Sequence, residues 1–189
     1  MFAIDHAATA LLIKRKYTDV SIVPMLIAVQ AMEIAWCVLN WLGVERTTTE
    51  PVVRSVAEVH LAYIPYSHSV GIPVVAAIIA WLVIEFGFHR PALARAVALG
   101  IVSHLVLDLV THARDIVLWP GLSSPAFGLG LYASAPLAAF FLELVYGVFC
   151  WAVYRGSRGL LAFIVLFNLA NLSFLSESIP GPESLLAGR

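Results

Sequence analysis

The segment 103–115, "SHLVLDLVTHARD", combines ionisable side chains with the apolar residues typical of a membrane-spanning helix. His104, Asp108 and His112 are spaced four residues apart, and Asp115 follows three residues later. At ~100° per residue, all four side chains fall within an arc of about 80° on one helix face. Imidazole and carboxylate groups on successive helical turns are typical metal ligands. The spacing therefore predicts a site for a divalent metal ion, with zinc as the expected ion.

Other apolar segments carry polar side chains that could complete this site. Counting helical rise from the basic residues places most of them between the middle of a membrane and its outer interface. They are His6, Glu33, Tyr66, Ser67, His68 and Glu143. A buried charge in a membrane costs at least ~2.5–3.5 kcal/mol. The sequence therefore predicts one polar cavity, open to the outside, in which these groups neutralise one another around a cation.

The residue types favour His104, Asp108 and His68 as metal ligands, with Glu33 or His6 completing the set. His112 lies on the same helix face and is a further candidate ligand. A neighbouring carboxylate that binds no ion can accept a proton during hydrolysis. Either Asp115 or Glu33 is therefore predicted to be the catalytic general base.

Five apolar segments are long enough to carry these residues across a membrane, since a spanning helix needs ~20 mostly apolar residues. They are 20–43, 69–88, 95–112, 135–154 and 159–176. Residues 2–13 are apolar but too short to span alone, and they predict a half-depth helix. The expected fold is an all-α, polytopic membrane bundle that includes residues 1–189 in a single domain.

The composition indicates a membrane protein, because 61% of the residues are hydrophobic and only 12% are charged. Soluble domains are about 45–50% apolar and about 25% charged. The formal net charge of -1 excludes a strongly basic nucleic-acid binder. Membrane lipids are therefore the expected surroundings of the chain, with other membrane subunits as further candidate partners.

The basic residues predict the orientation of the bundle, because cytoplasmic loops are enriched in Lys and Arg. If the five segments alternate, seven basic residues fall on the side of the 14–16 cluster and four on the other. This asymmetry predicts an inner (plasma) membrane protein with the 14–16 cluster in the cytoplasm. The loops 44–68 and 113–134 then face outward.

Four stretches resemble the bacterial membrane-bound metal-dependent hydrolases, a poorly characterised family. They are "DHAATALLIKR", "AVQAMEIAWCVLNWLGVER", "YIPYSHSV" and "SHLVLDLVTHARDIVLWPG", the last followed by "GLGLY" and a helical Glu. The resemblance includes roughly residues 1–155, and 156–189 forms an additional helix and tail. Signature positions of the family correspond to His6, Glu33, His68, His104, Asp108, His112 and Asp115, and Glu143 resembles a later acidic position. The family usually has Asp in place of Glu33 and a proline in place of Arg114.

The resemblance implies a metal site and hydrolysis, and an outward cavity in the membrane favours a lipid or lipid-linked phosphoester as substrate. A metal ion held by His and carboxylate groups polarises such a bond. Two other functional classes stay open. A transporter would also line its path with Asp, Glu and His, and a non-enzymatic accessory subunit of a membrane complex would retain the same helices.

Overall fold

The computed structural model describes residues 1–49, 59–123 and 125–172, and the chain in these ranges is mostly helical. The helices are α1 (Ala3–Lys16), α2 (Ile22–Val29), α3 (Ala31–Trp41), α4 (Gly71–Leu82), α5 (Pro91–Thr111), α6 (Leu131–Ser134), α7 (Pro136–Tyr154) and α8 (Arg158–Ala170). A π-helical turn, Val83–Gly87, extends α4. The strands β1 (Arg46–Thr49) and β2 (Val59–Tyr63) form an antiparallel pair. The helical prediction is thus confirmed, whereas the hairpin was not predicted.

Helix α1 lies inside the bundle, where it packs against α2, α5, α7 and α8. Its small residues permit this close packing: Ala8 and Ala10 are buried, and Ala10 packs with Ala96 of α5. Small side chains at helix contacts let backbones approach closely. The segment predicted as a half-depth helix is therefore helical, but it occupies the interior of the bundle and brings the side chains of its first two turns to the central helices.

The first predicted span, 20–43, is broken into α2 and α3 at Gln30, where the chain bends by 50°. Gln is not a helix breaker, so the break reflects tertiary contacts. The Gln30 side-chain Nε2 donates to the backbone oxygen of Ala3, 2.7 Å away. The bend ties α2 and α3 to the start of α1 and turns α3 toward the candidate site.

Fewer helices reach membrane-spanning length than the five predicted. Among the described residues, α5 and α7 are long and apolar enough to cross a membrane, and the bent pair α2–α3 would make a third. The segment 71–87 and helix α8 are apolar but shorter. The last part of the predicted span 159–176, after residue 172, lies outside the described residues. Residues 50–58 of the predicted outer loop also lie outside them.

The outer faces of several helices are apolar, which is compatible with membrane association. Side chains of α4, α7 and α8 leave large apolar areas uncovered, including those of Ile78, Phe141, Val145, Phe163 and Leu166. Soluble monomers rarely expose contiguous apolar surfaces of this kind. These faces therefore fit contact with lipid better than contact with water.

The segment after α5 folds back over the end of that helix. Leu129 N donates to the backbone oxygen of Leu109, and Gly130 N donates to that of His112. Gly128 makes this return possible, because its φ is +136° and an added Cβ would lie 1.9 Å from the Ala113 oxygen. The segment 113–134, predicted as an outward-facing loop, therefore caps α5 and fixes the helix end that carries His112.

Candidate metal centre

Asp108 of α5 lies at the centre of four histidines, and each of them directs its Nε2 atom toward the carboxylate. His104 lies 2.8 Å from Oδ2 and His68 lies 3.7 Å from the same oxygen. His6 lies 3.2 Å from Oδ1, and His112 lies 3.7 Å from it. The Asp108 side chain is 2% exposed. Three segments of the chain thus contribute ring nitrogens to one buried point.

The four rings form two pairs. His6 of α1 stacks on His104 of α5, with ring centroids 4.1 Å apart. His68 stacks on His112 at 5.0 Å. The segment before α4 holds His68 in this position, because Val70 N donates to the backbone oxygen of Val117 in the loop that follows α5. One pair therefore depends on the packing of α1 against α5, and the other on the loop that caps α5.

On the side facing away from Asp108, the Nδ1 atoms of His68 and His104 have hydrogen-bond partners, and that of His112 lies near a carboxylate oxygen. His68 Nδ1 lies 2.7 Å from Ser67 Oγ. His104 Nδ1 lies 3.4 Å from the Val29 oxygen, the last of α2 before the bend. His112 Nδ1 lies 3.4 Å from Asp115 Oδ1. A proton held at Nδ1 leaves the Nε2 lone pair available, which is the arrangement found behind metal-binding histidines.

Glu45, which the sequence did not indicate, supports His68 from behind. Its Oε2 accepts from Ser67 Oγ at 2.6 Å, and its Oε1 accepts from the backbone N atoms of Tyr66 and Ser67 at 2.8 Å each. The chain Glu45–Ser67–His68 favours the tautomer with the proton at His68 Nδ1. The one sequence signal for Glu45 is its position directly after the apolar segment 20–43. Nothing in the sequence identified Ser67 as its partner.

Several buried polar atoms of the cluster make no hydrogen bond. They are both ring nitrogens of His6, Nε2 of His104, Nδ1 of His112, Oδ2 of Asp108 and Oδ1 of Asp115. Of these, His104 Nε2 and Asp108 Oδ2 lie 2.8 Å apart without hydrogen-bond geometry. Buried polar groups normally find partners, so unpaired ones mark a place where an ion or a water could bind. His6, His104 and Asp108 offer ligand atoms within 4.8 Å of one another; so do His68, Asp108 and His112, and so do Glu33, His68 and His104. These buried clusters could hold a metal ion.

Burial lowers the pKa of His68 to about 3, and the nearby His112 adds to this effect while Asp108 opposes it. His68 is therefore neutral at physiological pH, the form in which imidazole binds metals. The amino group of Met1 lies 2.7 Å from Asp108 Oδ1 and 2.6 Å from Thr111 Oγ1. The cluster thus already places a cationic group against Oδ1.

A cavity of about 490 Å³ opens beside the cluster. Its polar lining includes Glu33, His68, His112 and Asp115. The rest is largely apolar or aromatic, and includes Phe2, Trp36, Leu61, Ala62, Ala113 and Tyr132. The Asp115 side chain keeps 25% of its surface exposed. The cavity therefore gives a molecule with an apolar portion access to the histidines.

The structure brings the predicted ligands His6, His68, His104, Asp108 and His112 together, with both predicted base candidates at the cavity wall. Three other residues predicted to line the polar cavity are not among its lining residues. Ser67 lies behind the His68 ring, and the Tyr66 side chain is partly exposed next to Tyr63. Glu143 belongs to a second cluster, because it lies on the α7 face that packs against α1.

This second polar cluster joins side chains of α1, α6, α7 and α8. Glu143 Oε1 accepts from Tyr132 Oη at 2.6 Å, and Asp5 Oδ1 accepts from Asn168 Nδ2 at 3.4 Å. The other oxygens of the two carboxyl groups have no donor. The groups interact directly, so a proton on one of them provides a hydrogen bond to the other. No histidine takes part among the described residues.

Comparison of the chain with protein-family models, with curated proteins and with solved structures finds no match. The resemblance to membrane-bound hydrolases stays a prediction. The function must therefore be inferred from the geometry of the cluster and its cavity.

Proposed function

We propose that this chain is a membrane-embedded, metal-dependent hydrolase that acts on a lipid or lipid-linked phosphoester at the outer half of the bilayer. One observation carries the proposal. Four imidazole Nε2 atoms surround the buried Asp108 carboxylate, those of His6 and His104 make no hydrogen bond, and a largely apolar cavity opens next to them. The resemblance of residues 1–155 to the bacterial hydrolase family agrees with this function.

The residues present fit a divalent cation, with zinc as the proposed ion. His6, His68, His104, His112 and Asp108 would hold it, because imidazole and carboxylate are its usual nitrogen and oxygen ligands. The orphaned buried atoms would gain a partner. A bound divalent cation supplies Lewis-acid polarisation of a phosphoryl oxygen and makes water a better nucleophile at neutral pH.

Asp115 is proposed to accept the proton from the attacking water. It lies at the cavity wall and keeps contact with solvent. Its Oδ1 also lies 3.4 Å from His112 Nδ1, so the same carboxylate is close to the His112 ring. A carboxylate oxygen of Glu33, the other base candidate, lies within 4.8 Å of ring nitrogens of His68 and His104. That position suits a metal ligand better than a proton acceptor.

The composition of the cavity wall supports the proposal of an amphiphilic substrate. Phe2, Trp36 and Leu61 provide apolar contacts, whereas the histidines lie on its polar side. Ligand sites commonly combine an apolar lining with a few placed polar groups. The uncovered apolar helix faces would place this cavity among lipids, so a substrate with an acyl or prenyl portion and a phosphoester headgroup fits both parts.

The direction of the helices supports the proposed orientation in the inner (plasma) membrane, with five crossings by α2–α3, α4, α5, α7 and α8. Ile13 packs with Ala96 near the start of α5, whereas His6 meets Asp108 near its end. The basic residues 14–16 and Arg95 therefore share one end of the bundle, opposite the metal centre. By the positive-inside rule, the basic end is cytoplasmic and the cavity opens outward.

Labelling tests this orientation. Ser123→Cys and Thr18→Cys, each in a background of Cys37→Ser and Cys150→Ala, place single thiols at opposite ends. An impermeant maleimide applied to intact cells should label position 123 and should reach position 18 only after permeabilisation. The reverse pattern would refute the orientation without affecting the metal centre.

Activity is tested with purified protein in lipid vesicles, either freed of metal by a chelator or reloaded with zinc. Metal content is measured by elemental analysis, and hydrolysis of phospholipids and polyprenyl phosphoesters by mass spectrometry. The wild type should bind metal and release product only when loaded, whereas His104→Ala should do neither. His89→Asn, at an exposed histidine with φ of +55°, is the matched control. Metal-loaded wild type that hydrolyses no lipid substrate would refute the hydrolase proposal.

A further inference from the structure

The two stacked histidine pairs divide the cluster around Asp108 into two nearly separate ligand sets. One set is His6, His104 and Asp108, and the other is His68, His112 and Asp108. Asp108 is the only residue common to both. Each pair faces both carboxylate oxygens, because one ring of each pair approaches Oδ1 and the other approaches Oδ2.

Glu33 of α3 lies close to one histidine of each pair. Its carboxylate lies within 4.8 Å of ligand atoms of His68, from one pair, and of His104, from the other. The bend at Gln30 sets the direction of α3 and hence the position of Glu33. Each of the two carboxylates thus lies near both pairs of imidazoles. A single ion would not need two pairs of imidazoles and two carboxylates.

The number of donors exceeds what a single zinc ion uses. Four imidazoles and two carboxylates are present, whereas zinc usually takes four ligands and keeps one of these positions open in catalytic sites. A single ion would leave buried lone pairs without a partner, which is unfavourable. Two ions would each take three or four protein donors and still leave positions open for substrate.

The charges are consistent with two ions and an anionic substrate. Two divalent ions carry four positive charges, and Asp108, Glu33 and Asp115 contribute three negative charges at the cluster. The cationic Met1 amino group, 2.7 Å from Oδ1, stands where one ion would approach this oxygen. A phosphoester would supply the remaining negative charge, which a neutral substrate would not.

We propose that the cluster is a two-metal site in which His6 and His104 hold one ion, His68 and His112 hold the other, and the carboxylates of Asp108 and Glu33 are shared between them. This inference rests on the proposed function only in assuming that the cluster binds metal. Paired ions are a common means of stabilising both the attacking and the leaving oxygen of a phosphoester. The arrangement therefore also selects phosphoesters among amphiphilic substrates.

The test is the number and the magnetic coupling of manganese(II) ions bound by metal-free, full-length protein. Titration of the wild type should end at two ions per chain, and electron paramagnetic resonance should show an exchange-coupled pair in place of an isolated six-line signal. His6→Ala and His112→Ala each remove one pair's ligand. Each should bind one ion with an isolated signal, whereas the control His89→Asn should bind two coupled ions.

One ion per wild-type chain with an isolated signal would overturn the two-metal assignment and leave the metal-dependent hydrolase intact. A wild type that binds neither manganese(II) nor zinc would overturn both. Because the wild-type titration and spectrum decide these outcomes, the inference is testable even if a histidine variant fails to fold. Two ions retained by both histidine variants would also overturn it, because the pairs would then not be the ligand sets.

Discussion

Two buried polar clusters occupy the same bundle, and they differ in the kind of donor they collect. Around Asp108 there are four imidazoles with lone pairs directed inward and a cavity alongside. Around Asp5 and Glu143 there are an amide, a phenol and two carboxyl groups. The first cluster has many acceptors and could hold a cation. In the second, a proton shared by the two carboxyl groups would satisfy the oxygens that lack a donor.

This comparison shows that burial of charge alone does not identify a metal site. Both Asp5 and Asp108 are buried aspartates in helices, and both have an oxygen without a hydrogen-bond donor. What separates them is the neighbours. Imidazoles can present a bare lone pair to a cation, whereas the donors of Asn168 and Tyr132 already point at carboxylate oxygens. A matched pair of substitutions, one in each cluster, can therefore test whether only the first cluster binds metal.

The largest effect is expected for Asp108→Asn compared with Asp5→Asn. Asp108→Asn removes the carboxylate common to the ligand sets, so metal binding and turnover should fall to background. Chelation should lower the melting temperature of the wild type, since a ligand at a hundredfold excess over Kd stabilises by about 2.7 kcal/mol. Thermal denaturation of Asp108→Asn, with and without chelator, should show no such shift.

Asp5→Asn should behave like the wild type in the same experiment. Its amide N–H can replace the shared proton as a donor to Glu143, so the second cluster stays satisfied. Equal chelator responses in Asp108→Asn and in the wild type would argue against a metal centre at Asp108. Loss of the response in Asp5→Asn would mean that the two clusters act as one site.

Asp115→Asn is expected to have the next largest effect. It retains the side-chain volume and a contact with His112 but removes the proton acceptor. Loss of a general base typically lowers the rate by ~10²–10⁴. Turnover of a lipid phosphoester should fall by this factor while metal content, measured by elemental analysis, stays near that of the wild type. A fall in metal content equal to the fall in turnover would assign Asp115 to ligand support alone.

Ser67→Ala tests the support behind His68. It removes the group between Glu45 and the His68 Nδ1 atom, so the tautomer and the ring orientation are no longer fixed. Such changes behind a ligand typically weaken metal affinity 10–100-fold. Competition titration with a chromophoric chelator measures this affinity. Ser103→Ala is the control, because the Ser103 hydroxyl donates to the Gly100 oxygen of its own helix. An equal loss in both variants would contradict the role of Ser67.

Helical periodicity explains why much of the metal centre could be predicted from sequence. The spacing of His104, Asp108 and His112 places them on one face whatever surrounds the helix. The convergence of His6, Glu33 and His68 on that face followed from their depth along apolar segments. Polar side chains in such segments are costly to expose to lipid, so they face the interior of the bundle and one another.

The missed features depend on contacts that no local pattern encodes. The break at Gln30 arises where its side chain meets α1, and only this break sets the Val29 oxygen behind His104. Glu45 reaches Ser67 across a connection of more than twenty residues. Glu143 was assigned to the outer cavity because depth alone cannot tell which neighbour a helix face meets. Five spans were predicted from hydropathy, which does not register a bend within a span.

The smallest effect is expected in the second cluster, from Asn168→Ala. Asn168 donates to Asp5 and to the Ile164 oxygen of its own helix, so the variant leaves Asp5 Oδ1 without this donor. Interhelical hydrogen bonds in membrane proteins contribute about 0.6 kcal/mol on average and up to about 1.7. Unfolding of Asn168→Ala in mixed micelles should show a free-energy loss in this range, with unchanged metal stoichiometry. If the variant instead keeps its stability and loses metal, the Asp5–Glu143 cluster takes part in ion binding, and the contrast between the two clusters would have to be abandoned.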